Sequence, residues 1–471
     1  MTGLGWQINT GAFWAAFVII KLMTVFERFK KAHRGKKVLI MGLGLLGGGV
    51  GVAKIFNEIG AKVTVTDLKS EKELKSSLKK LDKLGIRFVL GKHDKKDFGT
   101  HDLIIRNPAV PQSSPFLQIA SKNNISITMD TVLFAKFCNR PIIGVTGTRG
   151  KTTTAVLIYE LLKSAGKNIL LGGNVKGVAS LSLLKKIRDD SIVVLELSSW
   201  ELQAFDREKI SPHIAVITNI YQDHLNRYKN MEDYISDKKA IFKYQNKKDF
   251  LILNRNNFIV ADFAKEAKAQ IVWFSKADFP RDWQLRLAGR HNKENAAAAY
   301  KVGKILELHL QWMKPIFETF KGVEYRLEEI AEIDGVKYIN DTTSTTPAAG
   351  IAALQSFKAP LILLAGGACK NLDFSEFAQQ IVKDVKGVVL LEGSATEKLS
   401  SLINRSGGKS KILGRFSDFK KAILTAKRNA RPEDIILLSP GCASFGMFRN
   451  EYDRGEQFNK IVEDLKNEEK I

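Results

Sequence analysis

The chain has little cysteine and no apolar run long enough to cross a bilayer. Its three cysteines, Cys138, Cys369 and Cys442, are isolated among 471 residues. This spacing excludes a disulfide framework and favours a reducing compartment, so we expect a cytoplasmic protein. The apolar stretch at residues 11–20 is half of the roughly 20 residues that a membrane span requires. It has no basic segment before it and no small-residue cleavage site, which argues against a secretory signal.

Residues 1–34 are expected to form an N-terminal extension outside the regular α/β pattern. The simplest interpretation is a dispensable amphipathic segment, or an over-extended start with initiation at Met23. The alternative is a peripheral membrane contact through residues 1–34, because Trp6, Trp14 and the basic residues that follow suit an interface.

Acidic residues are too few to balance the basic ones. The chain has 73 Lys and Arg against 50 Asp and Glu, a formal net charge of +23. Such an excess favours anionic partners. The basic residues alternate with acidic and apolar ones and lack aromatic interleaving, so we expect anionic small substrates and no nucleic acid.

The order of apolar segments predicts an α/β protein of three domains, as the chain length also suggests. Short apolar strands alternate with helical stretches and end at glycine-rich or polar loops. We expect a Rossmann-like N-terminal domain at 35–129, a central P-loop ATP-binding α/β domain at 130–322 and a C-terminal Rossmann-like α/β domain at 323–471.

The first glycine loop, GLGLLGGG at 42–49, follows a predicted strand, and Asp67 ends the next one. Backbone amides at the start of the following helix can hold a pyrophosphate, and Asp67 can bind a ribose or a uracil edge. A tight turn without a ligand and an NAD site are the alternatives.

The second glycine loop, TGTRGKTTT at 146–154, departs from the usual phosphate-loop template because Val145 stands where Gly or Ala is common. The physical requirements are still met. Gly147 and Gly150 let the backbone wrap a phosphate, Lys151 supplies a cation, and Thr152 offers a hydroxyl to Mg²⁺.

Four further polar residues follow in the same predicted domain. Glu196 ends the strand SIVVLE, His224 follows another strand, and Tyr234 and Lys238 share one face of a helix at i, i+4. Each residue taken alone could have a purely structural role or lie at the surface. Their order after the phosphate loop favours a metal and phosphate site.

From Lys36 to its end the chain resembles the Mur ligases of peptidoglycan synthesis, and within them the glutamate-adding branch. The matching segments are TGTRGKTT, ELSSW, GGN at 172–174, HLNRY, GRHNKEN, the pair Tyr325-Arg326, IND at 339–341 and SPGCASF. The resemblance implies an ATP-dependent amide ligase that adds glutamate, D-glutamate by this branch, to UDP-N-acetylmuramoyl-L-alanine through an acyl phosphate. An L-glutamate-adding relative and a folylpolyglutamate-synthase-like ligase are the alternatives.

The resemblance also implies cofactors and site residues. ATP and two Mg²⁺ ions are expected, with Lys151, His224 and Lys238 as catalytic residues. The implied ATP contacts are Gly147, Thr148, Arg149, Gly150, Lys151, Thr152, Thr153, Asn292, Asn295, Arg326 and Asp341. The implied metal ligands are Thr152, Glu196, His224 and a carbamylated Lys238. The implied contacts to the UDP substrate are Leu45, Leu46, Asp67, Asn107, Asn174 and Ser198, and those to glutamate are Thr345, Lys370 and Ser444. A monomer is expected.

Three residues depart from the family pattern. Thr343 replaces a common lysine, Glu201 replaces a common glutamine, and Glu451 stands where an aromatic residue often lines the glutamate pocket. Tyr452 is adjacent, and a one-residue shift in the alignment would restore an aromatic residue there. An acid beside an acidic ligand requires compensation, for which Arg449 and Arg454 are the nearby cations.

Overall fold

The computed structural model describes residues 23–175, 177–223, 228–287, 289–369 and 372–468. Three sheets follow one another along this part of the chain, and every neighbouring pair of strands but one is parallel. The predicted three-domain α/β fold is confirmed.

The N-terminal sheet has the order β3-β2-β1-β4-β5. Its strands are β1 (Lys37–Met41), β2 (Lys62–Asp67), β3 (Arg87–Leu90), β4 (Leu103–Arg106) and β5 (Ser126–Thr128). The helices around it are α1 (Val25–His33), α2 (Gly48–Glu58), α3 (Glu71–Leu78), α4 (Asp97–Thr100) and α5 (Pro115–Lys122), with a 3-10 turn at Lys79–Leu81.

The middle sheet has the order β11-β10-β9-β6-β8-β7, and all its strands are parallel. They are β6 (Ile142–Thr146), β7 (Asn168–Gly173), β8 (Ser191–Glu196), β9 (Ile214–Ile217), β10 (Phe250–Asn254) and β11 (Gln270–Phe274). The helices are α6 (Asp130–Phe137), α7 (Lys151–Ser164), α8 (Ser199–Glu208), α9 (Met231–Lys243), α10 (Phe258–Asp262), α11 (Arg290–Ile305) and α12 (Leu310–Thr319), and 3-10 turns lie at Ser180–Lys186, Phe263–Lys265 and Lys276–Asp278.

The C-terminal sheet has the order β12-β13-β17-β14-β15-β16, with only β12 antiparallel to its neighbour. Its strands are β12 (Glu328–Ile333), β13 (Val336–Asn340), β14 (Leu361–Gly366), β15 (Val385–Leu391), β16 (Ile412–Phe416) and β17 (Ile435–Leu438). The helices are α13 (Pro347–Leu354), α14 (Ser375–Asp384), α15 (Thr396–Arg405), α16 (Phe419–Asn429) and α17 (Glu451–Glu468), with a 3-10 turn at Lys409–Lys411.

Burial in the middle sheet determines where a site can form. β6 lies between β8 and β9, and helices cover both faces, so these strands are continuous apolar runs. Polar groups are therefore confined to the strand ends. The carboxyl ends of β6, β8 and β9 meet at one edge, where ligands of parallel sheets bind.

The first helix, α1, lies inside the segment that was expected to be a dispensable extension. Phe29 is fully buried, and its ring packs against Phe56 of α2 at 5.5 Å and Phe137 of α6 at 5.3 Å. The expectation is therefore wrong for residues 25–33, because an apolar helix face completes the core there. Residues 1–22, including the proposed membrane-contacting tryptophans, lie outside the described residues. No helix in the described ranges is long and apolar enough to cross a membrane.

Replacing Phe29 by Ala should destabilise the protein by about 3 kcal/mol or more, because it removes a buried ring and leaves a cavity. The melting temperature measures this effect. Phe258→Ala is the matched control, since the Phe258 side chain is 90% exposed and its loss should change the melting temperature little. Equal melting temperatures for the two variants would contradict the assigned role of α1.

Candidate active site

The phosphate loop connects β6 to α7 and needs glycine at two positions. Gly147 and Gly150 have φ of +149° and +79°. A Cβ at Gly147 would overlap Thr218 Oγ1, and one at Gly150 would overlap Asn295 Oδ1. The loop thus packs so closely against two other elements that no side chain fits there.

Two lysines converge on one carbonyl oxygen of this loop. Lys151 Nζ donates to Gly147 O at 3.1 Å and to Thr148 O at 3.2 Å. Lys238 Nζ, from α9, donates to the same Gly147 O at 3.1 Å and to Thr146 Oγ1 at 3.3 Å. The predicted proximity of Lys238 to the phosphate loop is present in the structure.

The surroundings of Lys238 disfavour its positive charge. The side chain is 1% exposed and lies 4.9 Å above the Tyr234 ring. Burial lowers the pKa of Lys238 well below its usual value, and the neighbouring Lys151 ammonium lowers it further. Burial also lowers the pKa of Lys151, while the Glu196 carboxylate raises it. An uncharged Lys238 amine is thereby favoured.

Glu196 ends β8 and points into the same region. It is 2% exposed, and its Oε1 accepts a hydrogen bond from Asn174 Nδ2 at 3.4 Å. Its Oε2 has no hydrogen-bond partner among the described residues. A buried carboxylate oxygen left open beside a phosphate loop suits a divalent cation, which prefers oxygen ligands.

Two arginines connect the C-terminal domain to the phosphate loop. Arg326 Nη2 donates to Thr152 Oγ1 at 3.0 Å, and Arg149 Nη2 donates to Thr346 Oγ1. Arg149 also lies 3.6 Å from Asp223 Oδ2. Both guanidinium groups therefore stand where the two domains meet the loop.

A cavity of about 390 Å³ extends from the phosphate loop between these two domains. The sequence-predicted ATP residues that line it are Thr148, Arg149, Gly150, Thr153, Asn292, Asn295, Arg326 and Asp341. Leu287, Ala349 and Ile351 add apolar walls to the cavity. The cavity thus joins an anion-binding end to an end suited to a flat base.

Asp341 follows β13 and is buried at this cavity. Its Oδ2 accepts a hydrogen bond from Ser439 Oγ at 2.8 Å, and its Oδ1 accepts one from the Leu327 amide at 3.3 Å. Burial raises the pKa of Asp341 to about 7, although these bonds and Arg326 oppose the shift.

The predicted UDP contacts gather at the carboxyl edge of the N-terminal sheet. Asp67 Oδ2 accepts a hydrogen bond from the Gly44 amide at 3.1 Å. Asn107, beyond β4, donates from Nδ2 to Gly42 O at 3.3 Å. Both side chains therefore hold the first glycine loop, on which Leu46 is exposed. Leu45, half-buried on this loop, packs against the core.

Asn174 and Ser198 lie beyond β7 and β8, which are neighbours in the middle sheet. The Asn174 amide donates to Glu196 O at 2.8 Å. Ser198 caps α8, and the Glu201 carboxylate accepts hydrogen bonds from the Ser198 amide and hydroxyl at 2.8 and 2.9 Å. Glu201 is therefore a capping group in this chain, although its sequence position is a departure.

The predicted glutamate contacts are described only in part. Thr345 follows β13 and Ser444 follows β17, and these strands are neighbours. Ser444 Oγ is buried, with no hydrogen-bond partner among the described residues. His224 and Lys370 lie outside the described residues, so their predicted roles stay predictions.

The cations expected to compensate Glu451 have other partners. Arg449 Nη2 pairs with Asp453 Oδ1 at 2.7 Å. Arg454 is buried and donates to Thr342 O at 2.8 Å and Thr342 Oγ1 at 2.9 Å. Arg454 thus holds the loop after β13. The Glu451 carboxylate raises the pKa of Arg454 and so favours its charged form.

Sequence reasoning missed Asn219, which holds the phosphate loop. Asn219 Oδ1 accepts a hydrogen bond from the Arg149 amide at 2.9 Å, and its carbonyl accepts one from the Thr148 amide at 2.8 Å. Its position two residues after β9 is the signal that could have identified it.

This geometry is that of an enzyme with three α/β domains, which binds a nucleoside triphosphate at the strand ends of its middle sheet. Family models cover each domain: the Mur ligase MurD-like N-terminal domain matches residues 36–129, the Mur ligase middle domain 145–284, and the Mur ligase glutamate ligase domain 325–442. The chain therefore belongs to the Mur ligase family, and it is an ATP-dependent amide-bond ligase.

Relatives match over almost the full length. A UDP-N-acetylmuramoylalanine–D-glutamate ligase of Roseiflexus sp. (strain RS-1) is 42% identical over 460 residues, which are 91% of this chain and 98% of the relative. One with the same name from Symbiobacterium thermophilum is 36% identical over 86% of this chain and 93% of its own.

Solved structures of more distant ligases share the fold. The UDP-N-acetylmuramate-alanine ligase MurC of Thermotoga maritima superposes with a TM-score of 0.64 at 20% identity, over 92% of this chain and all of its own. The MurF ligase of the same organism, in complex with ADP, gives 0.57 at 18% identity, over 93% and 97% of the two chains.

The buried capping acid Glu201 predicts a pH-dependent stability. Burial raises its pKa to about 7 from 4.5, although the bonds from Thr131 and Ser198 oppose the shift. Between these pH values the folded state binds more protons than the unfolded chain, so this group lowers stability as pH rises, with the full penalty above pH 7. Glu201→Gln should therefore raise the melting temperature relative to the wild type at pH 8, and much less at pH 5. A melting-temperature difference that is the same at both pH values would contradict the assigned environment.

Proposed function

We propose that this protein joins the alanyl carboxylate of UDP-N-acetylmuramoyl-L-alanine to the amine of D-glutamate, while ATP is converted to ADP and phosphate. The names of its relatives specify both substrates for those proteins. The observation that carries the proposal is the convergence of Lys151, Lys238 and the open oxygen of Glu196 on one strand edge. Such a product belongs to peptidoglycan precursor synthesis, and hence to cell wall formation, cell shape and cell division.

The proposed reaction has two steps. A carboxylate oxygen of the alanyl group attacks the γ-phosphorus of ATP, and the bond from that phosphorus to ADP breaks. The glutamate amine then attacks the resulting acyl phosphate and passes through a tetrahedral intermediate. Phosphate leaves with the electron pair of its carbon–oxygen bond, the nitrogen loses a proton, and the amide remains.

Charge repulsion is the main barrier to the first step, because a carboxylate must approach a triphosphate. Lys151 Nζ lies at the carbonyl oxygens of the phosphate loop, from where it can contact the phosphate oxygens. The open oxygen of Glu196 and the hydroxyl of Thr152 fit one Mg²⁺, and His224 with Lys238 would hold a second. Bound Mg²⁺ neutralises charge on the phosphate and carboxylate oxygens.

Lys238 is proposed to carry a carbamate. A neutral amine adds to carbon dioxide and releases a proton, which gives an anionic group in place of a cation. The lowered pKa of Lys238 supports this chemistry, since it favours the neutral amine that the addition requires. A carbamate also removes the repulsion between the two ammonium groups at Gly147 O.

The remaining assignments follow the same arrangement. Asn292 and Asn295 are proposed at the base, Arg326 and Asp341 at the phosphate and ribose, and the N-terminal strand edge at the uridine diphosphate. Domain borders are proposed at 35–129, 130–322 and 323–471, and a monomer is proposed. The cytoplasm, where nucleotide-activated substrates occur, is the proposed location, and a peripheral membrane contact is proposed for the part of residues 1–34 that precedes α1.

An assay of phosphate release tests the proposal. The purified protein is incubated with ATP, Mg²⁺, UDP-N-acetylmuramoyl-L-alanine and either D- or L-glutamate. Release should require both the nucleotide sugar and D-glutamate. Release that is indifferent to either substrate would contradict the proposal, and a preference for L-glutamate would correct its amino acid.

Lys238→Ala should lower kcat by a factor of 100 or more, of the order expected when a preorganised charge at a reacting phosphate is lost. Short carboxylic acids should restore part of the activity, because they can occupy the space of the carbamate. Lys239→Ala is the matched control, since Lys239 Nζ pairs with Glu266 Oε1 at a distance of 2.5 Å. This pair lies away from the phosphate loop. Full activity of the Lys238 variant would show that the assignment is wrong.

A further inference from the structure

A buried chain of polar side chains joins the start of α6 to α8 and to the 3-10 turn at Ser180–Lys186. At its centre Thr131 Oγ1 donates to Glu201 Oε1 at 2.7 Å. The same hydroxyl oxygen lies 3.2 Å from Ser180 Oγ. All three side chains are buried. Thr131 therefore links Glu201 to Ser180 in this chain of contacts.

One end of the chain fixes the loop after β7. Ser180 Oγ accepts a hydrogen bond from the Gly173 amide at 3.0 Å, and Asp130 Oδ2 accepts one from the Ser180 amide at 2.5 Å. Gly173 has φ of +87° and directly precedes Asn174. The direction of the Asn174 side chain thus depends on a glycine that the Ser180 hydroxyl holds.

The other end fixes the loop after β8. Glu201 uses Oε1 for Thr131 and Oε2 for the Ser198 amide and hydroxyl, so both carboxyl oxygens are occupied. Displacing Glu201 would free the Ser198 cap. The positions of Asn174 and Ser198 are therefore set by one continuous set of contacts.

A purely structural role does not require this composition. Buried polar groups lose their interactions with water, and a well-packed apolar group of the same shape can serve stability equally well. What an apolar substitute cannot do is set directions for the groups at both ends. Fully satisfied buried networks give that specificity.

We propose that Thr131 is a positioning residue that sets Asn174 and Ser198 relative to each other and thereby determines how tightly the nucleotide-sugar substrate is held. The inference rests on the proposed function, in which Asn174 and Ser198 contact that substrate. Thr131 itself lies behind both loops, at the helix that leads from the N-terminal domain into β6.

Thr131→Val tests this inference, because valine keeps the shape and removes the hydroxyl. KM for UDP-N-acetylmuramoyl-L-alanine should rise about 3- to 10-fold, because the hydrogen bonds of Thr131 to Glu201 and Ser180 are lost. KM for ATP should stay within about twofold of the wild-type value. Thr131→Ser should restore the wild-type KM for the nucleotide sugar, since it returns the hydroxyl.

Thr128→Val is the matched control. Thr128 is also a buried threonine near the start of α6, and its Oγ1 has no hydrogen-bond partner among the described residues. This variant should retain the wild-type KM for all substrates. Melting temperatures of the variants separate a general loss of stability from the specific change in KM.

Calorimetric binding of UDP-N-acetylmuramoyl-L-alanine separates two kinds of failure. Wild-type protein that does not bind it would contradict the proposed function. Wild-type binding together with equal affinities for Thr131→Val and Thr128→Val would overturn the positioning role alone. So would a Thr131→Ser variant that remains as weak as Thr131→Val, or a KM for ATP that rises as much as that for the nucleotide sugar.

Discussion

The convergence of two lysine side chains on the carbonyl oxygen of Gly147 is the interaction on which the site depends. Lys151 and Lys238 each lie 3.1 Å from this oxygen, and Lys238 is shielded from water. Like charges at such separation repel strongly when solvent is excluded. Burial lowers the pKa of both lysines, while the carboxylates of Glu196 and Asp223 raise it. A bound phosphate and the carbamate proposed at Lys238 would each relieve this repulsion, which is how the arrangement supports the proposed acyl-phosphate chemistry.

The same excess of positive charge explains how the C-terminal domain meets the phosphate loop. Arg149 reaches across to Thr346, and Arg326 reaches back to Thr152. Arg326 uses a hydroxyl oxygen, which is a weak partner for a cation compared with a phosphate, and Arg149 combines its hydroxyl partner with the Asp223 carboxylate at 3.6 Å. Under the proposed assignment the Thr152 hydroxyl must exchange Arg326 for a metal ion. The proposed role of Arg326 at a phosphate likewise requires its present contact with Thr152 to break.

The strands of the sheet interiors could be predicted from the sequence, and several edge strands could not. Central strands such as β6 and β14 are buried on both faces and show continuous apolar runs. The strands β3, β7, β12 and β16 lie at sheet edges and mix exposed with buried positions. Their short, interrupted patterns do not differ from those of loops. Site residues at the ends of central strands, such as Glu196, were predictable for the same reason.

Contacts between distant segments were not predictable, because no local pattern encodes them. Glu201 departs from the family pattern when it is considered alone, yet its partner Thr131 lies 70 positions earlier in the chain. A hydroxyl can donate to an ionised carboxylate and accept from a protonated one. Burial raises the pKa of Glu201 to about 7, and a hydroxyl partner suits either protonation state of the carboxyl group. The acid at position 201 and the threonine at position 131 are therefore one structural feature, and a substitution at either position has to be judged together with the other.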